Sequence, residues 1–284
     1  MADGPPTNLR SLEARLRNHC AAVGRDFSRA RRHIGALVVA NLLHGTDTVV
    51  KGGRNLEIRY GLAATRASTD VDVVRAQELE EVLDHLEAAL DRGWAGFTGR
   101  LIDKGPIQAP VPSAYRPYRL DLKLDFEGRS FDTVQLEAAI EEAGGIQTTD
   151  MIVSADGAGI FEAVGLPAPG PVTVLTLPMQ VAQKLHACTA ADTDDWTNDR
   201  AHDLVDLQLI DLDLRDRQLP EVREACVRLF QARTGHDWPP TVSARQGWSA
   251  RYSEERAQVE ADVCSDLDQA VAWANEFIAR IAEA

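Results

Sequence analysis

Apolar positions recur with a helical period near the start of the chain and with a strand period in its middle. Apolar residues return every three or four positions over 8–23, 26–43 and 76–91, which predicts three helices. Strict alternation over 118–126 predicts a strand, and a turn leads from it into a second strand at 130–136. The pattern therefore indicates a protein of the α+β class.

The second half of the chain is mainly helical by the same criteria. Two short strands are predicted there, at 151–154 and 172–175, and three helices, at 178–187, 221–234 and 266–282. Ser265 is the expected N-cap of the last helix, and the Pro-rich and Gly-rich stretch 166–171 is typical of a domain boundary. We therefore expect an N-terminal domain over 1–170 and a helical C-terminal domain over 171–284.

A short stretch near residue 50 has the pattern of a phosphate-binding turn. The β-branched residues of 46–50 predict a strand, which runs into Gly52 and Gly53 and then into a short helix over 54–60. Two glycines allow the backbone to approach a ligand closely, and the amide N–H groups that open a helix suit phosphate oxygens. This stretch is a candidate site for a nucleotide.

Two carboxylates follow on the next predicted strand. Side chains alternate along a strand, so Ser68, Asp70 and Asp72 are expected on one face. Paired carboxylates are a hard-oxygen site for Mg²⁺ or Mn²⁺, which commonly also takes phosphate oxygens and water. Either signal alone is weak, since the chain has 44 acidic residues. In this order they point to nucleotidyl or phosphoryl transfer.

Composition restricts the class of protein further. The chain has 284 residues, 44% of them hydrophobic, which is enough for a substantial core. Its longest apolar run, 34–43, is too short to span a membrane, and the N-terminus lacks signal-peptide features, so we expect a cytoplasmic protein without a membrane partner. The four cysteines are widely separated and indicate neither a zinc site nor a disulfide framework.

The charge balance bears on whether the partner is a nucleic acid. The net charge of −14 disfavours binding to a phosphate backbone. Residues 1–33, however, contain seven arginines and three acidic residues, a net charge of +4. Arg29, Arg31 and Arg32 are interpreted either as a solvated helix face, which is slightly favoured, or as a docking surface for RNA.

The residues around the Gly-Gly turn carry a resemblance to a known family. The wording Val-Val-Lys-Gly-Gly-x-x-Leu-x-x-Arg-Tyr-Gly over 49–61, followed by Arg-x-Ser-x-Asp-Val-Asp over 66–72, resembles the AbiEii group of abortive-infection toxins and the related MenT toxins. These belong to the polymerase β type of nucleotidyltransferase. The resemblance implies an α+β fold, with a mixed sheet flanked by helices and a mainly helical C-terminal domain that completes the active site.

A second stretch, 184–207, strengthens this resemblance and implies further site residues. Lys184 stands in a Lys-Leu-x-Ala helix, and Asp203 opens an Asp-Leu-x-Asp-Leu helix that also contains Asp206. The family implies that Lys184 neutralises triphosphate charge as pyrophosphate leaves and that Asp203 orients it. Without the family, Lys184 would be a surface lysine on a solvated helix. The loop 192–199 departs from the pattern, since it is strongly acidic where relatives are more basic.

The family also implies a third carboxylate on a later strand, which would assist the acceptor hydroxyl. Asp121 is the candidate and Asp125 the fallback. Asp70 and Asp72 would hold the metal and act in catalysis with Asp121, Lys184 and Asp203. The residues expected to bind the nucleotide are Lys51, Gly52, Gly53, Arg66 and Ser68.

These assignments lead to one principal prediction and two alternatives. The resemblance implies the toxin of a type IV-like toxin–antitoxin pair that transfers NMP from an NTP to RNA, with the 3′ end of tRNA as the expected acceptor, and so blocks translation. A cognate antitoxin is an implied partner. The alternatives are a nucleotidyltransferase that modifies a small molecule such as an antibiotic, and a non-catalytic protein of the same fold that binds a nucleotide or a partner.

Overall fold

The structure is a computed structural model that describes residues 4–107, 116–144, 146–147, 149–193, 196–214, 216–233 and 235–284. The chain divides into two compact units. The first contains Met1–Leu62, Ala67–Glu141 and Thr149–Val174, and the second contains Ala63–Arg66, Glu142–Thr148 and Leu175–Ala284.

One mixed sheet forms the centre of the first unit. Its strands are β1 (Thr48–Lys51), β2 (Val71–Arg75), β3 (Phe97–Pro106), β4 (Tyr118–Phe126), β5 (Arg129–Ile140), β6 (Thr149–Ile152) and β7 (Val172–Leu175). They lie in the order β3-β4-β5-β2-β1-β7-β6. The pairs β3–β4, β4–β5 and β1–β2 are antiparallel, whereas β2–β5 and β1–β7 are parallel. This arrangement and the helices confirm the predicted α+β class.

The described residues of the first unit form five helices: α1 (Leu9–Val23), α2 (Phe27–Leu42), α3 (Gly52–Tyr60), α4 (Leu79–Arg92) and α5 (Gly157–Val164). The side chains of Asn8 and Asp26 accept hydrogen bonds from the first turns of α1 and α2. Gly24, with φ of +67°, ends α1 in the left-handed region that glycine adopts readily. The sequence pattern predicted α1 to α4 but not α5, which is too short for a clear period.

The two faces of the sheet differ in polarity, and β4 shows why. Leu120, Leu122 and Leu124 are fully buried in the core, together with Val71 and Val73 of β2. Helix α2 packs against β5, and α4 packs against β3. The alternating polar residues of β4 are only partly buried. The period-two pattern thus separates an apolar face, covered by helices, from a polar face that carries charged side chains.

In the second unit, the part of the chain that the structure describes contains five α-helices: α6 (Leu177–Thr189), α7 (Ala201–Asp213), α8 (Leu219–Ala232), α9 (Trp248–Arg256) and α10 (Leu267–Glu283). The buried Trp248 donates from Nε1 to the Asn198 carbonyl at 2.6 Å. Tyr252, also buried, donates to the Cys264 carbonyl at 2.8 Å. Both aromatic residues are therefore packing anchors, and the predicted helical character of this region is confirmed.

Several local predictions are wrong or lie outside the described residues. The N-cap of α10 is Asp266, which accepts from the Gln269 N–H at 2.9 Å, and not Ser265. Strand β3 continues to Pro106, which pairs with Tyr118. Residues 108–115, which follow β3, and residues 194–195 of the acidic loop are not among the described residues.

All four cysteines are free thiols, and Cys20, Cys188 and Cys226 are buried on helices. Cys264 lies outside a helix and is only partly buried. Within the described part of the chain, each helix is too short or too polar to cross a bilayer.

The sheet core can be tested at Leu136, which is fully buried on β5. We expect Leu136→Ala to lower the free energy of unfolding by about 2–5 kcal/mol, because it leaves a cavity beside the neighbouring strands. The matched control is Leu212→Ala, at a side chain that is 64% exposed. That change should alter stability by less than about 0.5 kcal/mol. Urea unfolding measures both, and equal effects would contradict the placement of β5.

Candidate active site

The Gly-Gly turn joins β1 to α3 and lies directly against Asp72. Gly52 has a φ of +67°, and a Cβ at this position would lie 2.5 Å from Oδ2 of Asp72. Lys51, which precedes it, is the register partner of Asp72 across the antiparallel pair β1–β2. Only glycine fits the conformation and the space at residue 52. The carboxylate of Asp72 is thereby held beside the N-terminus of α3.

Asp70 lies next to Asp72 at the start of β2. The strand begins at Val71, so Asp70 precedes the ladder instead of lying within it as the sequence predicted. Burial raises the pKa of Asp70, and the negative charge of Asp72 raises it further. Two carboxylates that repel each other in this way favour a cation between them.

Glu137 is a third acidic residue in this cluster, and the sequence pattern did not single it out. It is the register partner of Asp72 across the parallel pair β2–β5. Burial raises its pKa, Arg119 lowers it through a hydrogen bond, and Asp72 raises it again. Arg119 Nε donates to Glu137 Oε1 at 3.2 Å. The predicted strand ends at residue 136, before Glu137, and the pairing of β5 with β2 is non-local, so it could not be read from the sequence pattern.

Asp121, the predicted third carboxylate, lies on β4 with a different set of neighbours. Its Oδ2 forms an ion pair with Lys104 Nζ at 3.3 Å, and its register partners are Gln135 and Ile102. Asp125 lies further along β4, opposite Ser130 near the β4–β5 turn. By register, the acidic side chain beside Asp72 is therefore Glu137.

The donor set at this site suits a hard cation that keeps part of its coordination shell. Among the described residues, no group of three His, Cys, Asp or Glu side chains could hold a metal ion by itself. Asp70 and Asp72 could supply two carboxylate ligands, which is the number Mg²⁺ commonly takes when phosphates and water complete its octahedron. The residues therefore fit a metal that arrives with a phosphate ligand.

A buried charge cluster surrounds Lys184 in the second unit. Lys184 Nζ donates to Asp203 Oδ1 at 2.7 Å and to Asp206 Oδ2 at 2.6 Å, and the residue is 6% exposed. Arg66 also binds Asp206 with two nitrogens, at 2.9 and 2.8 Å. The interpretation of Lys184 as a surface lysine is therefore wrong, because helix α7 covers it with carboxylates.

The electrostatics of this cluster keep all four groups charged. Burial lowers the pKa of Lys184, but Asp203 and Asp206 outweigh burial and raise it. Burial raises the pKa of Asp206, but Arg66 and Lys184 outweigh burial and lower it. Two cations and two anions thus compensate one another inside the protein, where an unpaired charge would be costly.

Ser68 and two of the N-terminal arginines considered in the sequence also contact other groups within the protein. Ser68 Oγ donates to the Asp70 carbonyl at 3.2 Å. In the N-terminal segment, Arg29 Nη2 lies 3.0 Å from Glu57 Oε1, and Arg31 Nε lies 3.5 Å from Glu13 Oε1. The positive charge of two of the three arginines considered for RNA docking is therefore partly compensated within the chain.

Comparison with known proteins identifies a family model and a solved structure that are similar to this chain. A family model described as the nucleotidyl transferase AbiEii toxin of a type IV toxin–antitoxin system matches residues 36–275. The structure is similar to MenT4, a nucleotidyltransferase toxin from Mycobacterium tuberculosis H37Rv, with 20% identity and a TM-score of 0.52, over 95% of this chain and 98% of that one.

A second solved structure, JHP933 from Helicobacter pylori, matches with 16% identity and a TM-score of 0.44, over 89% of this chain and 90% of that one. No curated protein sequence matches. The likeness to MenT4 is a likeness of fold, whereas the family model covers most of the sequence, including the Gly-Gly turn and both aspartates. The chain belongs to the AbiEii family of nucleotidyltransferase toxins.

Proposed function

We propose that this toxin is a Mg²⁺-dependent or Mn²⁺-dependent enzyme that transfers NMP from an NTP to the 3′ end of tRNA and so blocks translation. The observation that carries the proposal is the position of Asp72 against Gly52, with Asp70 beside it. A phosphate that binds the N-terminus of α3 would meet these carboxylates directly.

The reaction requires one bond to form and one to break at the α-phosphorus. A terminal hydroxyl of the acceptor attacks, its oxygen bonds to phosphorus, and the bond to the bridging oxygen breaks to release pyrophosphate. The N–H groups at Gly52 and Gly53 would bind phosphate oxygens, and Lys51 and Ser68 are proposed to bind the nucleotide with them. Asp70 and Asp72 would hold the metal, which would supply charge neutralisation for the transferred phosphoryl group.

The hydroxyl must lose its proton during attack, and a carboxylate near Asp72 is suited to accept it. Asp121 is the residue that the family pattern indicates, whereas the register of β2 and β5 favours Glu137. The raised pKa of Glu137, caused first by burial, suits a group that takes up a proton. We propose that one of these two acids assists the acceptor.

Lys184 is proposed to act on the leaving pyrophosphate with Asp203 orienting it. The contact between Lys184 Nζ and Asp203 supports the orienting role. Arg66, which binds Asp206, is the second cation of this group and is proposed to bind phosphate with it. Entry of a triphosphate would require these cations to exchange part of their carboxylate contacts for phosphate contacts.

RNA is the proposed acceptor class, and a cytoplasmic antitoxin is the proposed regulator. The polar sheet face offers an approach for an anionic polymer, since Arg100 and Lys123 are register partners and neither forms an ion pair with another described residue. Like charges directly opposite in a sheet destabilise it, and a bound phosphate would relieve that repulsion.

Two other functions remain for the same fold. A small-molecule nucleotidyltransferase would use the same Gly-Gly turn and paired acids, and the acceptor alone would differ. A non-catalytic binding protein is disfavoured because both Asp70 and Asp72 are present and adjacent. Replacement of the proposed metal ligands tests whether the protein is one of the two enzymes or a non-catalytic binding protein.

We expect Asp70→Asn and Asp72→Asn each to reduce transfer of label from an NTP to RNA by at least about a hundredfold, because charge stabilisation at the phosphoryl group is lost. Circular dichroism and thermal unfolding should be close to those of the wild type. The control is Asp91→Asn, at an exposed carboxylate on α4, which should leave transfer unchanged. Full activity in both site variants would refute the metal assignment.

Glu137→Gln and Asp121→Asn distinguish the two candidates for the third carboxylate. Loss of a proton acceptor costs about 10²-fold or more in rate, so we expect Glu137→Gln to lower kcat by that factor. Asp121→Asn should change kcat by only a few-fold, because Asp121 is paired with Lys104 on another strand. Single-turnover transfer measures both rates. The reverse order of effects would favour the residue that the family pattern indicated.

Lys184→Ala should destabilise the protein as well as impair turnover. Removing one cation from a buried pair leaves carboxylates uncompensated, at a cost of about 3–5 kcal/mol in the free energy of unfolding. Lys104→Ala, at a lysine that is 46% exposed, is the control and should cost less than about 1 kcal/mol. A Lys184→Ala protein of wild-type stability would show that the cluster rearranges without it.

A further inference from the structure

A buried network on α2 and α3 holds the segment that leads into Asp70. Glu57, 1% exposed, accepts through Oε1 from Arg29 Nη2 at 3.0 Å and lies between two arginines. Its Oε2 forms an ion pair with Arg54 Nη1, and Arg54 is itself only 3% exposed. Such a carboxylate is stable inside a protein only when charged donors surround it.

Both members of this ion pair also form hydrogen bonds with the backbone of Ser68, one with its N–H group and the other with its carbonyl oxygen. Glu57 Oε1 accepts from the Ser68 N–H at 3.2 Å, and Arg54 Nη2 donates to the Ser68 carbonyl at 2.8 Å. Ser68 lies in an irregular segment before β2, where no sheet ladder satisfies the backbone. Side chains must therefore supply these hydrogen bonds, because buried backbone groups without partners are costly.

The network ends at the proposed metal ligand. Ser68 Oγ donates to the carbonyl of Asp70, and Asp70 itself lies just before the strand, outside the β2 ladder. Asp72, by contrast, is fixed by its pairing with Lys51 and Glu137. Of the two aspartates, Asp70 is therefore the one whose position depends on side-chain contacts.

We propose that Glu57 and Arg54 are positioning residues that fix Ser68 and thereby place the carboxylate of Asp70 for metal and nucleotide. The proposal rests on the metal site of the proposed function. It assigns to the Glu57–Arg54 pair a role in catalysis in addition to stability, since residues that orient metal ligands typically contribute 10-fold to 100-fold in metal affinity or activity. Neither residue was among the candidates from the sequence.

The test compares Glu57→Gln with Asp150→Asn in the full chain. Gln can still accept from Ser68 but lacks the charge that holds both arginines. Asp150 pairs with Arg59, on the same helix α3, and touches neither Ser68 nor Asp70 in the contacts of the described residues. It is therefore a control for the loss of an ion pair from this helix.

Three measurements are made on each variant: Mn²⁺ affinity by calorimetry in the presence of a non-hydrolysable NTP analogue, amide hydrogen exchange over residues 67–70, and kcat and KM for the NTP. For Glu57→Gln we expect Mn²⁺ affinity to fall about tenfold, exchange over 67–70 to accelerate, and kcat to fall with little change in KM. Asp150→Asn should match the wild type in all three. Wild-type Mn²⁺ affinity and exchange in Glu57→Gln would overturn the proposal.

Arg54→Lys provides a second variant if Glu57→Gln does not fold. Lys keeps a positive charge beside Glu57 but lacks the planar fork that reaches Glu57 and the Ser68 carbonyl together. Faster exchange over 67–70 and weaker Mn²⁺ binding support the proposal, and unchanged values overturn it. Wild-type protein that binds no Mn²⁺ would instead refute the metal site and this role with it, whereas normal binding in both variants would refute only the role.

Discussion

The close contact between Gly52 and Asp72 is the constraint on which the arrangement of the site depends. Because a Cβ at residue 52 would lie 2.5 Å from Oδ2 of Asp72, the turn between β1 and α3 can approach β2 only if that residue is glycine. The antiparallel pairing of Lys51 with Asp72 also fixes the spacing between the backbones of β1 and β2 at this point. Together they place an acidic side chain at a helix N-terminus, where a phosphate-bound cation would be stabilised.

Buried charge is the second determinant, and it is distributed over two separate clusters. Glu57 is compensated by Arg29 and Arg54 in the first unit, and Lys184 is compensated by Asp203 and Asp206 in the second. Replacing one member of such a cluster leaves its partners uncompensated, so loss of activity and loss of stability are coupled there. At Asp70, which is half-buried, the two effects separate more readily.

Much of the fold followed from the sequence because its signals are local. Alternation in β4 and the helical periods of α1, α2 and α4 each lie within one element, and the Gly-Gly turn identified the start of α3. Glu137 could not be recognised, because its proximity to Asp72 depends on the parallel pairing of β5 with β2 across some sixty residues of chain. Burial of Lys184 was missed for the same reason, since its carboxylate partners lie on α7.

The central claim is that the protein transfers a nucleoside monophosphate to RNA. It is tested most directly by incubating the wild-type protein with total RNA and Mg²⁺, with each NTP supplied in two forms, labelled at the α-phosphorus or at the γ-phosphorus. The account predicts that α-label enters RNA of tRNA size, that γ-label does not, and that pyrophosphate is released in equal amount. Label in RNA from the γ-position, or α-label found only in small molecules, would contradict it.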